Sequence, residues 1–349
     1  MKTILTIWAV IAMMPAISGA AQASITIETV TVGDPGNVPD TIVSGLSIGD
    51  VGYTYNIGKY EVTTGQYTAF LNAVAASDTY TLYNASMWSN GMGCKIQRNG
   101  SSGSYTYSVA SDYADRPVNY VSFWDACRFT NWLQNGQKTG AQDASTTESG
   151  AYSFNGVANP DNSTFRRNAH WQYAVTSENE WYKAAYYKGG STNAVYYYWP
   201  TGTGATPGRD MADASGNNAN YYNAGYLLGS PYYRTVVGEF QNSDSPYGTF
   251  DQGGNVWEWN DHIMNSTDRV VRGGSFYEGT GFKGSAANGS QYMWSPMRFQ
   301  DVSTFEDYKT GFRISAAVAG APVPEPAFFQ MGALLGMSGL GCLKLRRKA

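Results

Sequence analysis

The feature that most constrains the fold of this chain is a small set of short, strongly signalled helices. Three segments combine a capping box, in which Ser or Thr precedes Gln, Glu or Asp by three residues, with hydrophobic residues at helical spacing. They start after Thr63, Ser122 and Ser177 and end near Ala75, Gly136 and Gly189. The rest of the chain is predicted to form short strands joined by long loops.

These loops are rich in Asn, Gly, Ser and Tyr, and the chain contains 40 Gly and 27 Tyr. Examples are NGMGCKIQRNGSSGSYTYS and TGTGATPGRDMADASGNNANYYNAG. Loops of this length within one domain are usually functional or are held by something other than a helix or sheet, and a bound cation is one candidate. Tyr and Trp in such a frame suit a secreted binding or catalytic surface, although an aromatic core explains them equally well.

The N-terminus has the layout of a secretory signal peptide. Lys2 is followed by an apolar run and then by small residues that end in AQA at residues 21–23. We therefore predict that residues 1–23 are a signal peptide, that residues 24–44 form a β-rich lead-in, and that the mature chain is exported.

The C-terminus combines the motif Pro324-Glu325-Pro326, an apolar stretch and a basic cluster, in that order. An apolar helix over residues 327–343 would reach roughly 25 Å, nearly the thickness of a bilayer core, and the basic cluster favours the cytoplasmic side. This order closely resembles the PEP-CTERM sorting tag, which implies a Gram-negative envelope protein that an exosortase-type enzyme processes. We predict a linker with the PEP motif at residues 319–326 and a transmembrane helix with a basic tail at residues 327–349. The tail would anchor the protein before processing, and the final location would be the periplasm, the cell surface or the extracellular matrix.

Charge and cysteine content exclude two classes of protein. Charged residues make up 14% of the chain and the net charge is −4, so no basic surface for nucleic acid is expected. Of the 3 cysteines, Cys342 lies in the tail, which leaves Cys94 and Cys127. A disulfide framework is thereby excluded, although one bridge between these two cysteines is compatible with an oxidising compartment.

The segment YGTFDQGGNVWEWNDH carries the densest group of candidate metal ligands. Asp251 and Glu258 flank two glycines, so the backbone can fold tightly enough to bring both carboxylates and intervening carbonyl groups onto one ion. Calcium prefers such all-oxygen ligand sets. The alternative is a turn beside a solvated strand edge. Trp257 and Trp259 alternate with Val256 and Glu258, which predicts a strand with one apolar face.

Six segments follow, in order, the block pattern of the formylglycine-generating enzyme family, also called sulfatase-modifying-factor domains. The blocks are YNIGKYEVTTGQYTAFL, RPVNYVSFWDACRFTNWL, VTSENEWYKAAYY, GTFDQGGNVWEW, RVVRGGSF and GFRIS. They lie between Tyr55 and Ser315, within the single domain that we predict at residues 45–318. The resemblance implies an α+β fold of the C-type-lectin-like kind, loop-rich and with little regular secondary structure.

The resemblance also implies two structural calcium sites. Carried over residue by residue, one site falls on Asp251 and Glu258 with the carbonyl groups of Gly254 and Val256. The other begins at Asn220 and the carbonyl group of Tyr221. The aspartate that the family places after them has no clear counterpart in LLGSPYYRTVVG.

The family's enzymes oxidise a sulfatase cysteine to formylglycine, using oxygen and a copper(I) ion held by two cysteines just after the RGGS block. Thiolates are suitable ligands because a soft cation prefers soft sulfur. Here the matching positions are most nearly Glu278 and Lys283, and neither is a ligand of that kind. Cys127 lies on the apolar stripe of its helix and Cys94 lies in a loop remote from this block. Copper is therefore not expected, and no catalytic residue is assigned.

Three functions remain open. The first is a non-catalytic binding module whose groove recognises an extracellular glycan or an envelope protein. The segment NGSQYMWSPMRFQD supplies aromatic and arginine anchors of the kind enriched at interfaces, namely Tyr292, Trp294, Met297 and Arg298. The second is an enzyme, either a formylglycine-generating-type oxidase without the usual cysteine pair or one in which Glu278 acts with Lys283 or Asp301 as acid and base. The third is a structural surface protein.

A related branch of the family forms carbon–sulfur bonds with an iron held by histidines from an added helical domain. This chain has 2 histidines, His170 and His262, and no such domain, so both are expected to be ordinary polar residues.

Two arginines of the family blocks are expected to support the core. Arg272 in VVRGGSF and Arg313 in GFRIS are predicted to pair with acids such as Glu258 or Glu180. A buried ion pair of this kind fixes geometry, although it does not by itself prove a net gain in stability.

Overall fold

The structure is a computed structural model of the chain, and it describes residues 24–41, 46–190, 195–277 and 289–318. The predicted signal peptide, the PEP motif and the C-terminal apolar segment lie outside the described residues, as do Glu278 and Lys283. Within the described part of the chain, no helix is both long enough and apolar enough to cross a membrane.

The three helices predicted from capping boxes are confirmed. The α-helices in the described chain are α1 (Thr64–Val74), α2 (Ser86–Ser89), α3 (Ser111–Ala114), α4 (Phe123–Gln134) and α5 (Glu178–Tyr186). At the start of α1 the Thr63 hydroxyl accepts a hydrogen bond from the Gln66 backbone, and the Gln66 side chain accepts one from the Thr63 backbone. The same reciprocal capping starts α4 and α5, so local sequence fixes where each of these helices begins.

The strands are short, as the sequence predicts. They are β1 (Thr29–Val32), β2 (Tyr55–Gly58), β3 (Ile96–Asn99), β4 (Thr106–Val109), β5 (Tyr173–Val175), β6 (Trp257–Ile263), β7 (Asp268–Arg272), β8 (Phe299–Val302), β9 (Thr310–Phe312) and β10 (Ile314–Ala317). One antiparallel sheet has the order β1-β2-β10-β5, a second sheet has the order β8-β7-β6-β9, and β3 and β4 form a hairpin.

The two larger sheets are joined where β9 leads into β10. β9 pairs in parallel with β6, whereas β10 pairs in antiparallel fashion with β2 and β5. Arg313 is the single residue between these two strands, so the chain passes from one sheet to the other at this arginine. The helices pack beside sheets that are largely antiparallel, which is the predicted α+β fold.

Strand β6 corrects one prediction. Trp257 and Trp259 are 3% and 0% exposed, as expected for an apolar face, but Glu258 and Asn260 on the other face are also 0% exposed. Glu258 can be buried on the second face because it pairs with Arg313 inside the protein. The strand therefore lies at the centre of the molecule and not at a solvated edge.

The predicted lead-in contributes β1 to the sheet with the order β1-β2-β10-β5. β1 pairs with β2 from Thr29 opposite Gly58 to Val32 opposite Tyr55. The bridge between Cys94 and Cys127 that the sequence left open does not form in the structure, where both cysteines are free and buried.

Candidate functional site

A buried ion pair lies at the point where the two sheets meet. The Arg313 guanidinium donates through Nε to Glu258 Oε2 at 2.6 Å and through Nη2 to Glu258 Oε1 at 2.7 Å. Trp181 Nε1 on α5 donates to Glu258 Oε2 at 2.8 Å. All three side chains are 0% exposed. The predicted pairing of Arg313 with Glu258 is therefore confirmed.

Arg272 has a different partner from the two acids that we named as examples. It donates to Glu178 Oε1 through Nε at 3.0 Å and Nη2 at 2.7 Å, while Glu180 is held by Arg167 at 2.9 Å and 3.1 Å. Residues two apart on a helix point in roughly opposite directions, because each residue turns the helix by about 100°. The two acids in the first turn of α5 thus serve two separate arginines.

The loop before β6 is tightly folded. Asp251 and Asn255 have φ of 58° and 56°, and Gly254 has φ of 85°. A Cβ on Gly254 would lie 2.4 Å from the backbone oxygen of Asn220, so only glycine fits there. The Asn255 N–H donates to that same oxygen at 2.8 Å. The loop therefore brings the two predicted calcium-binding segments into contact.

The first predicted calcium set does not fit a cation as these residues are arranged. Both carboxylate oxygens of Glu258 accept hydrogen bonds from Arg313, whose positive charge occupies the place that a calcium ion would take. Asp251 Oδ2 accepts a hydrogen bond from the Gly238 N–H at 2.6 Å, and burial raises the pKa of Asp251 to about 6. The rest of the predicted set is the carbonyl groups of Gly254 and Val256, so the set offers no second carboxylate that is free to bind a cation.

The second predicted set has one feature that fits a cation. The side-chain oxygen of Asn220 is buried and has no hydrogen-bond partner in the described chain, while its nitrogen donates to the Tyr233 carbonyl at 3.0 Å. The adjoining Tyr221 is a core residue that donates to the Pro207 carbonyl. However, the segment LLGSPYYRTVVG, in which the aspartate that the resemblance implies has no clear counterpart, contributes the fully buried Arg234. Burial lowers the pKa of Arg234 to about 10.

A third acid lies near Asp251 and Glu258. Glu61 is 2% exposed, and neither of its carboxyl oxygens has a hydrogen-bond partner in the described chain. Burial raises the pKa of Glu61 well above its ordinary value, and the nearby charges of Asp251 and Glu258 raise it further. The surroundings of Glu61 therefore favour its uncharged, protonated form. No local pattern pointed to this residue, because a lone Glu in YEVT looks like a solvated strand position.

The two cysteines in the described chain are poorly suited to bind copper. Burial raises the pKa of both thiols, and Cys94 and Cys127 are each 0% exposed. A buried thiol whose thiolate is disfavoured is neither a good metal ligand nor a reactive nucleophile. The prediction that Cys127 is a small core residue of α4 agrees with its position in the main hydrophobic cluster.

The four predicted recognition residues have different environments. Tyr292 is 6% exposed and packs on Trp257 and Phe299. Met297 packs partly against the same core, and Arg298 donates to both oxygens of Glu178 at 2.7 Å and 2.6 Å. Trp294 is 40% exposed. Of the four, Trp294 therefore has the ring that a ligand can reach, and the other three support the fold around it.

A residue that the sequence did not single out completes this surface. Tyr198 is 46% exposed, and its ring centroid lies 6.4 Å from that of Trp294. The buried Trp199 lies 5.7 Å from Trp294, and the Ser295 N–H donates to the Tyr198 carbonyl at 3.0 Å. We call Tyr198 and Trp294 the aromatic surface. The run YYYWP was its only signal, and no local rule pairs that run with a tryptophan so far along the chain.

The two histidines are polar residues in different surroundings. His262 Nδ1 lies 3.6 Å from Glu178 Oε2, and burial lowers the pKa of His262 despite that acid. His170 is exposed in a turn with φ of 59°. Among the described residues, no group of three His, Cys, Asp or Glu side chains could hold a metal ion. Asp301, named above as a possible acid, lies on β8, and burial raises its pKa to about 6.

The fold and the buried Arg313–Glu258 pair define a loop-rich α+β domain of the class that the six sequence blocks suggest. A family model described as the sulfatase-modifying factor enzyme 1-like domain matches residues 50–318. The chain therefore belongs to this family. No curated protein matches it.

Several solved structures are similar to this chain. Variable protein 1 of Treponema denticola is 17% identical with a TM-score of 0.48, and the match covers 86% of this chain and 98% of that one. CarF is 19% identical with a TM-score of 0.46, and the match covers 84% and 99%. PvdO from Pseudomonas aeruginosa is 18% identical with a TM-score of 0.43, and the match covers 84% and 92%.

Proposed function

We propose that this chain is an exported member of the family that binds a ligand and does not oxidise cysteine. The observation that carries the proposal is the chemistry of the available sulfur. The positions that match the family's copper-binding cysteines are Glu278 and Lys283, and the free cysteines Cys94 and Cys127 are buried with raised thiol pKa values. The domain thus keeps the scaffold without soft ligands for copper(I).

The proposed location follows from the two ends of the sequence. The signal-peptide pattern at residues 1–23 and the PEP-CTERM-like tag at residues 319–349 support export to a Gram-negative envelope and processing by an exosortase-type enzyme. The domain would then act in the periplasm, at the cell surface or in the extracellular matrix, with the tail as a membrane anchor until it is processed. An extracellular polysaccharide or an envelope protein is the partner available there.

We favour a glycan as the ligand and the aromatic surface as its binding site. Tyr198 and Trp294 are 46% and 40% exposed, and their rings lie edge to face at 6.4 Å. Aromatic rings offer a large, rigid contact area that loses little conformational entropy on binding. Trp294 is fixed from behind by Trp199, which is 4% exposed. A preformed surface of this kind suits the apolar face of a sugar ring.

The test is glycan binding by the wild-type protein and by Trp294→Ala, measured on an array of bacterial polysaccharides and then by calorimetry. Truncating an anchor of this kind is expected to weaken binding about tenfold or more. Trp88 on α2 is the matched control, since it is also an exposed tryptophan at 47%. If Trp88→Ala and Trp294→Ala bind equally well, the aromatic surface is not the site.

The enzyme alternative is tested separately. A cysteine-containing sulfatase peptide is incubated with the protein, copper(I) and oxygen, and its mass is measured. We expect an unchanged peptide, because the described chain offers no pair of accessible thiols. Conversion of the cysteine to formylglycine would refute the non-catalytic proposal.

The structural calcium remains a proposal, now centred on Asn220 and the Tyr221 carbonyl group, because the buried Asn220 oxygen lacks a partner in the described chain. Calcium added to chelator-treated protein should raise its melting temperature, and Asn220→Asp should enlarge that increase, because a carboxylate is a stronger calcium ligand than an amide. Asp251→Asn should leave the increase unchanged if the first set does not take part. If calcium leaves the melting temperature of every variant unchanged, the proposal of a structural calcium ion is refuted.

A further inference from the structure

The connection between α4 and β5 is unusually long. Residues 135–172 lie wholly within the described chain and contain no helix or strand. Even so, Tyr152 and Phe154 are 0% and 1% exposed, and Phe165 is 7% exposed. A long segment without regular structure inside a domain is usually functional when it is ordered.

Buried arginines hold this segment in place. Arg128 on α4 donates to Glu148 at 2.7 Å and to the carbonyl groups of Ala158 and Val157, both at 3.1 Å. Its guanidinium also lies 3.9 Å from the centroid of the Phe154 ring. We call residues 148–158 the first arm of the segment and residues 161–168 the second arm. The first arm is therefore fixed by hydrogen bonds from a charged group, which are costly to break in the protein interior.

A second arginine fixes the other arm. Arg269 on β7 donates to the Phe165 carbonyl at 2.7 Å and to Asn162 Oδ1 at 2.6 Å, and it pairs with Asp261 at 3.0 Å. Arg269 is 0% exposed. Buried arginines thus hold both arms of the segment in place.

A cleft of about 440 Å³ opens between these two arms. Its lining includes the apolar residues Val157 and Phe165, the charged residues Asp161 and Arg166, and the amides Asn155 and Asn168. Its volume falls in the range of roughly 300–1,000 Å³ that small-molecule sites occupy. The lining joins an apolar floor to a polar wall.

Two charged side chains of that wall, Asp161 and Arg166, form no ion pair in the described chain, and their hydrogen bonds are to near neighbours. Arg128, Arg167 and Arg269 each pair with a carboxylate, whereas Arg166 has no carboxylate within 4.0 Å in the described chain and is exposed. Asp161 is also exposed, and hydrogen bonds from Ser163, with a smaller effect of Arg166, lower its pKa. Because Arg167, which also lines the cleft, is paired with Glu180 and Asp261, the two charges left without an ion-pair partner in the lining are of opposite sign.

We infer that this cleft binds an uncharged, hydroxyl-rich ligand of monosaccharide size, with Asp161 accepting and Arg166 donating hydrogen bonds to its hydroxyl groups. Val157, which is 49% exposed, and the accessible edge of Phe165 provide the apolar part of the lining against which the carbon face of a sugar packs. A net charge of either sign on the ligand would be attracted by one of Asp161 and Arg166 and repelled by the other, so the pair favours a ligand without net charge. The inference does not depend on the aromatic surface, because the cleft and that surface share no residue.

The test is saturation-transfer NMR of the purified protein with neutral hexoses, N-acetylhexosamines, a uronic acid and an amino sugar. For a neutral sugar that binds, Arg166→Gln and Asp161→Asn should each weaken binding about tenfold or more, because each removes a hydrogen bond to a charged group. Both residues are exposed, so the variants should fold. Lys138→Gln is the matched control, since it removes an exposed charge from the same segment outside the cleft.

The other outcomes each overturn the inference. Binding of no neutral sugar, or binding of the charged sugars alone, would refute the ligand class. Equal affinity in wild type, Arg166→Gln and Asp161→Asn would refute the site. Trp294→Ala separates this site from the aromatic surface: it should leave the cleft's sugar binding unchanged, and a loss there would assign the binding to the aromatic surface.

Discussion

Six acids that are buried or half-buried in this domain form two groups with different neighbours. The arginine-paired acids are Glu178, Glu180 and Glu258, each bonded to at least one guanidinium. The acids with raised pKa values are Glu61, Asp125 and the half-buried Glu306, and no arginine forms a salt bridge with them in the described chain. All lie in one domain, so the difference comes from their neighbours.

The pKa values follow this division. Burial by itself would raise the pKa of Glu178 and Glu180, but Arg272 and Arg167 hold both below the ordinary value. Burial raises the pKa of Asp125 to about 6 and that of Glu306 to about 8. Depth alone therefore does not decide whether a carboxylate stays ionised. For these acids the difference is whether a largely buried guanidinium compensates for the lost hydration. Asp78, which pairs with the partly exposed Arg98, still has a raised pKa.

The largest effect should come from breaking the central pair. Arg313→Met leaves the Glu258 carboxyl group buried with Trp181 as its remaining side-chain donor, and removing one partner of a buried pair costs about 3–5 kcal/mol. The free energy of unfolding in urea measures this loss. The arginine also holds the Gly58 carbonyl at 2.9 Å, so both sheets should loosen together.

A matched double variant sharpens this prediction. Arg313→Met with Glu258→Leu removes both charges, and a buried ion pair replaced by apolar residues is often neutral in stability. The double variant should therefore recover much of the loss. If it is no more stable than Arg313→Met, the cost lies in the other hydrogen bonds of Arg313 and not in an orphaned carboxylate.

Glu61 should respond in the opposite direction. Its carboxyl oxygens are buried without a hydrogen-bond partner in the described chain, and such an unsatisfied group costs about 1–3 kcal/mol. Glu61→Met keeps a similar volume and removes the polar atoms, so it should stabilise the protein by an amount in that range. Glu61→Gln is the control, because it keeps a buried polar group and should gain little. A destabilised Glu61→Met would mean that this carboxyl has a partner that stabilises it.

The pair of Glu306 and Asp125 should make stability depend on pH. The pKa of Glu306 is raised to about 8, mainly by burial and then by Asp125, and Asp78 adds to the effect. The folded state keeps a proton that the unfolded chain releases, so this group's contribution to stability is lost as the pH rises toward 8. Glu306→Gln should reduce the fall in the free energy of unfolding from about pH 5 to about pH 8 by at least about 1.4 kcal/mol, the equivalent of one pKa unit.

The exposed Glu28 provides the control for that experiment. Its side chain is 59% exposed, so Glu28→Gln should leave the pH dependence in this interval unchanged. Glu178 and Glu180 differ again, because their lowered pKa values preserve stability until the pH falls below their ordinary values near 4.5. Identical pH profiles for wild type and Glu306→Gln would contradict the assignment of a held proton.

The parts of this fold that the sequence predicted are those encoded by near neighbours. Thr63, Ser122 and Ser177 start their helices through contacts three residues away, which a single sequence reveals directly. The sheet order was not predictable in this way. It depends on the step from β9 to β10 at Arg313, which brings together strands that are far apart in the chain.

The candidate sites divide along the same line. Trp294 could be singled out from its own segment, but Tyr198 could not, because their contact joins distant parts of the chain. Likewise, Glu178 and Glu180 both begin α5, and only the packing of the helix determines which of them meets Arg272. Sequence patterns identify residue types suited to a task, whereas partners are chosen by the tertiary fold.

The smallest effect should come from an ion pair at the surface, where the same charges meet water. Lys59 Nζ lies 2.7 Å from Glu28 Oε1, closer than several of the buried contacts, yet the two side chains are 28% and 59% exposed. Lys59→Met should change the free energy of unfolding by less than about 1 kcal/mol, and added salt should reduce the difference. A loss as large as that of Arg313→Met would mean that contact distance governs these pairs. A small loss would mean that burial causes the difference between the two ion pairs. In Lys59→Met the remaining charge is that of Glu28, which water already solvates.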